Sequence, residues 1–285
     1  MTLADLLTER INETGFPFQE ECYQFIKDTK NFVTKEYPYS FIGVDGSVDI
    51  LTLKIPPLDD FGDSFWPIMS IECKKSKPGI KNWCFIKTDR GGYGTKPLFV
   101  VSIVSAESEA KLSFSSELYS FDRLKFFNDK MVTIDEVVNF GFESNILAES
   151  LNRNQEEKIY KSLLQSVSGI TYVEKKKFPN IPELRLNEDK INGLSRRTLP
   201  PSYPTIIFIP IVLTTSDLYV ANFNPNNVKD GEIDNGSVTW VQKNWVFYDF
   251  GLPDYLQQDE LVYRGVFIVN NKHFPVFYNT LMPSF

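Results

Sequence analysis

The chain has 285 residues, enough for one large domain or two small ones, and its 42% hydrophobic and 24% charged content is ordinary for a globular protein. A formal net charge of −7 counts against wrapping long nucleic acid by bulk charge, though not against a local basic patch. One histidine, His273, leaves no material for His-rich metal sites, Ser-His-Asp triads or HNH-type nuclease chemistry, and three scattered cysteines (Cys22, Cys73, Cys84) suit neither a disulfide framework nor a Cys-type zinc site but fit a reducing cytosol.

Residues 2–13 predict a short amphipathic helix, with Leu3, Leu6, Leu7 and Ile11 at helical spacing and early acids that do not read as a signal peptide. Thr14-Gly15-Phe16-Pro17 breaks it, and Pro17 suits the first turn of a second helix whose apolar stripe is Phe18, Cys22, Phe25 and Ile26. Glu21 borders that stripe. A first strand is expected at about residues 39–44, with Asp45-Gly46 as the turn before the next. Residues 47–53 and 65–75 read as two further strands joined by a Pro/Asp/Gly-rich turn, which gives a helix followed by a three-strand antiparallel meander.

Residues 76–97 predict a loop around a short strand at 83–87, with a glycine-rich run at 90–94 that lacks the P-loop pattern and suits a mobile loop near a groove. A short strand follows at 97–102, then an insertion with one or two helices over 116–148. Asn154-Gln155-Glu156-Glu157 resembles a capping box opening a second core helix through Ile159, Leu163, Leu164 and Val167 to Gly169. Residues 172–204 read as a polar cover. Residues 205–213 form an apolar run suited to a strand buried on both faces, although Pro210 inside it demands a bulge or an edge position. Strands are expected at 217–223, 238–241, 245–250, 263–269 and 275–278. No apolar run approaches the 18 residues or so of a membrane span. No repeat or linker marks a boundary, so residues 1–285 read as a single elaborated α/β domain: core about 14–102 and 154–223, insertion about 103–153, C-terminal strands 224–285.

The chemistry gathers in residues 47–77. Asp49 sits among Val48, Ile50, Leu51 and Leu53, and Glu72 follows Ile68, Met69 and Ile71. The period of two puts Glu72 and Lys74 on one face of a strand and Ile71 and Cys73 on the other. Antiparallel pairing brings Asp49 beside Glu72, and an unpaired carboxylate in such apolar strands costs several kcal/mol unless a cation offsets it. Two carboxylates and an ammonium on one face can hold a hard divalent cation and orient a water. A turn cap at Asp49 and a surface pair of Glu72 with Lys74 is the plainer alternative. Lys74, Lys75, Lys77 and Lys81 form one basic patch, Lys175–177 a second, and Arg185, Arg196 and Arg197 a third.

This Asp…Glu-Cys-Lys pattern resembles the active site of the PD-(D/E)xK, or restriction-endonuclease-like, nucleases, with Val48 in place of the proline. Ile-Glu-Cys-Lys-Lys-Ser-Lys followed by Trp83-Cys84-Phe85 is similar to an "ECKKS…PWVFF" run in one microbial branch of that superfamily, and residues 205–222 resemble its "P-[IV]-V-[VL]-T-T" and "LY-[VI]-A" strands. The resemblance is good over about residues 11–90 and looser over 154–222. It implies a mixed sheet flanked by helices and Mg²⁺- or Mn²⁺-dependent hydrolysis of nucleic acid, DNA ahead of RNA. Asp49, Glu72 and the Cys73 main-chain carbonyl would hold the metal, with Lys74 as the catalytic cation. Lys75 and Lys77 would contact the phosphate backbone. Glu21 matches the second acid of the family's "G-[YF]-P-x-E-x-E" helix and would join the metal site or remain a surface residue; the first acid is Gln19 here. Trp83 would stack on a base or pack the core. Cutting both strands of a duplex would favour a homodimer. A catalytically inactive fold that binds nucleic acid or a protein, and a structural component of a larger complex, are the other readings.

Overall fold

The computed structural model describes residues 2–29, 31–41, 44–53, 65–76, 82–86, 98–108, 111–120, 137–138, 140–144, 155–174, 205–223, 225–230, 232–233, 236–251 and 263–281. The expected turn at 56–63, the glycine-rich run, Lys77, Lys81 and the second and third basic patches lie outside these residues.

Helices α1 (Leu3–Glu13) and α2 (Phe16–Asp28) open the chain. A capping box between Thr2 and Asp5 starts α1, whose leucine stripe is exposed, and Pro17 occupies the first turn of α2 as expected. Strands β1 (Phe32–Phe41), β2 (Val44–Leu53) and β3 (Phe65–Lys74) form the antiparallel meander. The first strand begins earlier than expected. Asp45 and Gly46 are not its turn: they lie inside β2, paired with Ser40 and Tyr39.

Strands β4 (Asn82–Ile86), β5 (Leu98–Ser108), β6 (Lys111–Ser120), β7 (Val137–Val138) and β8 (Phe140–Ser144) come next. The expected helical insertion is therefore corrected over its described residues: 116–120, 137–138 and 140–144 are strands. Alternating Leu112, Phe114 and Leu118 pair as a hairpin with β5, and a partner strand decides between two periods that short apolar runs leave ambiguous. Helix α3 (Gln155–Tyr172) is the predicted core helix. Strands β9 (Thr205–Thr214) and β10 (Asp217–Phe223), the short pair β11 (Val228–Lys229) and β12 (Glu232–Ile233), then β13 (Val238–Lys243), β14 (Trp245–Gly251) and β15 (Tyr263–Asn270) follow, and helix α4 (Phe274–Leu281) ends the described chain. Helix α4 replaces the strand expected at 275–278. Phe274, Phe277, Tyr278 and Leu281 are all buried, and that spacing is helical.

Among the described residues the main sheet has nine strands, in the order β1-β2-β3-β9-β15-β14-β7 with β5 and β6 attached at β9. β9 is its axis. β3 runs parallel along one edge of β9; on the other edge β5 pairs with residues 205–208 and β15 with residues 211–214. Pro210, which has no N–H to give, falls in the gap where β9 changes partners. The second sheet runs β13-β10-β4-β8. The architecture is a mixed α/β layer structure.

Helices α2 and α4 cover one face, packing Phe18, Cys22, Ile26, Phe274 and Phe277 on Met69, Ile71, Ile209 and Ile211. Helix α3 lies on the other face, between the sheets, with Leu163 and Val167 against Val212, Trp83 and Leu218. Ser70 Oγ donates to the Ser166 carbonyl of α3 (2.8 Å) and Ser166 Oγ donates to the Ile211 carbonyl (3.2 Å), so two small residues let the helix approach the strands closely. No helix among the described residues is long and apolar enough to cross a membrane.

Gly169 of α3 rests on Val48. A Cβ there would come 2.0 Å from Val48 Cγ2. Gly169→Ala would gain about 1 kcal/mol of helix propensity but meets an overpacking cost of about 1–3 kcal/mol, so a net loss of stability is expected in urea unfolding. Val48→Ala in the same chain is expected to restore part of it.

Candidate functional site

The site forms where the β1–β2 hairpin changes face. Val33 and Ile50 pack with α2, whereas Tyr39 and Val48, each an even number of residues away, pack in a separate cluster with Tyr172 of α3. Residues two apart on a regular strand share a face, so both strands are irregular between these pairs. On β1 the irregular residue is Glu36, with φ +50°, in the left-handed region that non-glycine residues rarely enter. By the register of the hairpin it lies opposite Asp49 on β2.

This switch turns Asp49 sideways toward β3. The β2–β3 ladder ends at Ile50 paired with Ile71, and beyond it the Asp49 side chain replaces a main-chain acceptor: Cys73 N–H donates to Asp49 Oδ2 at 2.6 Å. Burial raises the Asp49 pKa, the Cys73 N–H and Lys74 oppose that shift, and Glu36 adds to it.

Glu72 is the most unusual group. It is 2% exposed. One carboxylate oxygen, Oε1, accepts from Lys74 Nζ, while Oε2 is buried with no hydrogen-bond partner. Burial, and then the nearby Asp49 carboxylate, push its pKa up to about 7, against the pull of Lys74 and the Asp49 main chain. Lys74 is more open, with its side chain 23% exposed. The structure therefore brings Asp49, Glu72 and Lys74 together as expected. The Cys73 thiol points to the opposite face, against Cys22, where its hydrogen bond with that second thiol, and then burial, raise its pKa.

The helix contributes differently from the family pattern. Glu21 is exposed, whereas Gln19 is 9% exposed and faces the hairpin. Gln19 Nε2 donates to the Asp49 carbonyl (3.1 Å) and to Glu36 Oε1 (2.6 Å), and Ser47 Oγ donates to Glu36 Oε2 (3.0 Å). Gln19, Ser47 and Glu36 thus brace Asp49 from behind. Sequence reading passed over Glu36 and Ser47, because a polar residue in a half-exposed strand carries no mark of its own. Gln19→Ala is expected to cost about 1–3 kcal/mol in urea unfolding, since it strips the part-buried Asp49 carbonyl of its Gln19 donor, while Glu21→Ala stays within about 0.5 kcal/mol.

The expected nucleic-acid contacts divide. Lys75 Nζ donates to the Asn12 carbonyl at the end of α1, so it ties α1 to the rim of the site. Trp83 is fully buried between β4 and α3 and fills the core, with no ring face to offer a base.

Two carboxylates, one with an orphaned oxygen, plus a main-chain carbonyl form a donor set suited to a hard cation that keeps several waters. Among the described residues no group of three or more His, Cys, Asp and Glu side chains is placed to hold a metal. No protein-family model, no curated protein and no solved structure matches the chain.

Proposed function

We propose that the chain is a divalent-metal-dependent nuclease of the PD-(D/E)xK type, acting on DNA ahead of RNA. The single observation that carries this reading is the buried, unpartnered Glu72 Oε2, held beside Asp49 and Lys74. Leaving a carboxylate oxygen without a donor in an apolar strand costs several kcal/mol, and a cation shared by Asp49 and Glu72 offsets that cost. The two carboxylates and the Cys73 carbonyl would hold Mg²⁺ or Mn²⁺, which when bound supplies Lewis-acid polarisation of a phosphate and a more acidic water. Lys74 sits at the open edge of the pair, where its ammonium neutralises charge that develops on the phosphate oxygens. Gln19 and Glu36 hold the Asp49 backbone so that its carboxylate stays turned toward β3.

The test is a cleavage assay on plasmid, linear duplex, single-stranded DNA and RNA with Mg²⁺ or Mn²⁺, and with EDTA as control. Metal-dependent cleavage of at least one substrate is the expected result. A second reading, an inactive nuclease-like fold that only binds, draws on the presence of Gln19 where the family's helix has an acid and on the lack of a three-side-chain metal cluster among the described residues. Absence of cleavage together with no Mn²⁺ heat in calorimetry selects it.

A further inference from the structure

Three parallel strands of the main sheet end side by side. Lys74 of β3 pairs with Thr214 of β9, and Thr214 pairs with Asn270 of β15. Two strand spacings, about 10 Å, separate Lys74 from Asn270. Open sheets of parallel strands present their ligand sites beyond such carboxyl ends. Here the residues just past the ends are tied into one rim. Thr215 N–H donates to the Lys74 carbonyl (3.2 Å), Ser76 N–H donates to Thr215 Oγ1 (2.8 Å), and the Ser76 and Ser216 hydroxyls bond to each other. Asn270 Nδ2 donates to the Ser216 carbonyl (2.7 Å), and Asn270 Oδ1 accepts from the Lys272 N–H (3.0 Å). Ser76 and Thr215 are small and half-buried, so the floor of the rim is low.

Ammonium groups stand around that floor. Lys75 Nζ donates to the Asn12 carbonyl, and Lys158 Nζ of α3 donates to the Lys75 carbonyl at 3.4 Å. Both bonds end on neutral carbonyls, and an ammonium has three donors, so neither bond cancels the charge or exhausts it. Lys272, at the other end of the rim, keeps its side chain 69% exposed and lies 3.6 Å from Asp217 Oδ1, too far for a strong hydrogen bond. A chain of net charge −7 thus sets Lys75, Lys158 and Lys272 along the rim that begins at Lys74, against their mutual repulsion. We propose that this rim is a track for the phosphodiester backbone of a nucleic-acid strand. The strand would leave Lys74 and cross the ends of β3, β9 and β15, with phosphates against Lys75 and Lys158 on one side and Lys272 on the other. The inference rests on the nuclease reading and deepens it: contacts of this kind set the register of a strand and carry no sequence information, so the substrate is held without regard to sequence.

The experiment is fluorescence anisotropy in EDTA, over a series of salt concentrations, with labelled single-stranded and duplex DNA of two unrelated sequences, paired with a cleavage assay in Mg²⁺. Lys158→Ala and Lys272→Ala are each expected to weaken binding severalfold and equally for both sequences. Each is expected to reduce the slope of log affinity against log salt by about 0.7 on the single strand or about 0.9 on the duplex, the loss of one phosphate contact. Lys158→Arg and Lys272→Arg keep the charge and are expected to keep the slope. Lys229→Ala, an exposed lysine of β11 beyond the opposite end of β10, is the control for bulk charge and is expected to change nothing. If both rim alanine variants keep the wild-type slope, or Lys229→Ala lowers it as much as they do, the track is overturned and the nuclease reading stands on its own cleavage test. If the rim variants lower the slope and no substrate is cut under any metal, the track stands and the nuclease reading falls. A wild type that binds neither DNA overturns the track.

Discussion

Metal-free protein is expected to lose stability by on the order of 3 kcal/mol as pH rises from about 5 to about 8, from Glu72 alone. Glu72 titrates near 7 in the fold, against 4.5 for an ordinary glutamate. Between those values the folded chain keeps the proton and the unfolded chain has lost it. Protonation therefore favours the fold through that window, and stability falls as pH climbs through 7, where the charge is buried in full. This is opposite in sign to an acid whose pKa is lowered by a salt bridge. Asp49 shifts in the same direction. Glu72→Gln, which keeps the shape and removes the charge, is expected to flatten the profile and to be more stable than wild type near pH 8. Mn²⁺ at about 100 times its dissociation constant is expected to return about 2.7 kcal/mol to the wild type at that pH and nothing to Glu72→Gln. Urea unfolding across pH, with and without metal, checks all three. A wild-type profile as flat as that of Glu72→Gln would sink the account of the buried acid.

Lys74→Ala is expected to lower kcat about 10²–10³-fold, the usual cost of removing one preorganised charge from a developing oxyanion. The oligonucleotide affinity in EDTA is expected to change far less, because Lys74 already pairs with Glu72. The substitution also leaves Glu72 without the Lys74 ammonium that pairs with it, and breaking a buried pair typically costs about 3–5 kcal/mol. Kinetics are therefore to be read below the melting transition of the variant. Lys74→Arg, which keeps the charge but forks it, separates the two effects: it is expected to fold like the wild type and to stay at least 10-fold slower. If Lys74→Ala cuts within 10-fold of the wild type, Lys74 is a structural partner of Glu72 and not a catalytic cation.

The sequence by itself carried the parts of this protein that depend on local pattern. The period of two in residues 65–75 placed Glu72 and Lys74 on one face, and Pro17 and the Phe18–Cys22–Ile26 spacing placed α2. The unbroken apolar run of β9 announced a strand buried on both faces, and residues 207–214 are buried throughout. Segments whose period depends on an unknown neighbour are not legible in the sequence: residues 116–120 of β6 read as helical until β5 supplies their partner, and α4 stands where C-terminal strands are expected, although its aromatics recur at helical spacing. Only the tertiary structure decided the setting of the acid pair. The hairpin changes face at Glu36 and Asp49 because α2 and α3 cover opposite sides of its two halves, and that packing turns Asp49 onto the Cys73 N–H. It also chose Gln19 over Glu21, since two steps along a helix rotate a side chain by about 200° from a buried direction to an exposed one. The identity of the acids is written in the chain, whereas their protonation and their orphaned oxygen arise from which layers close over the sheet.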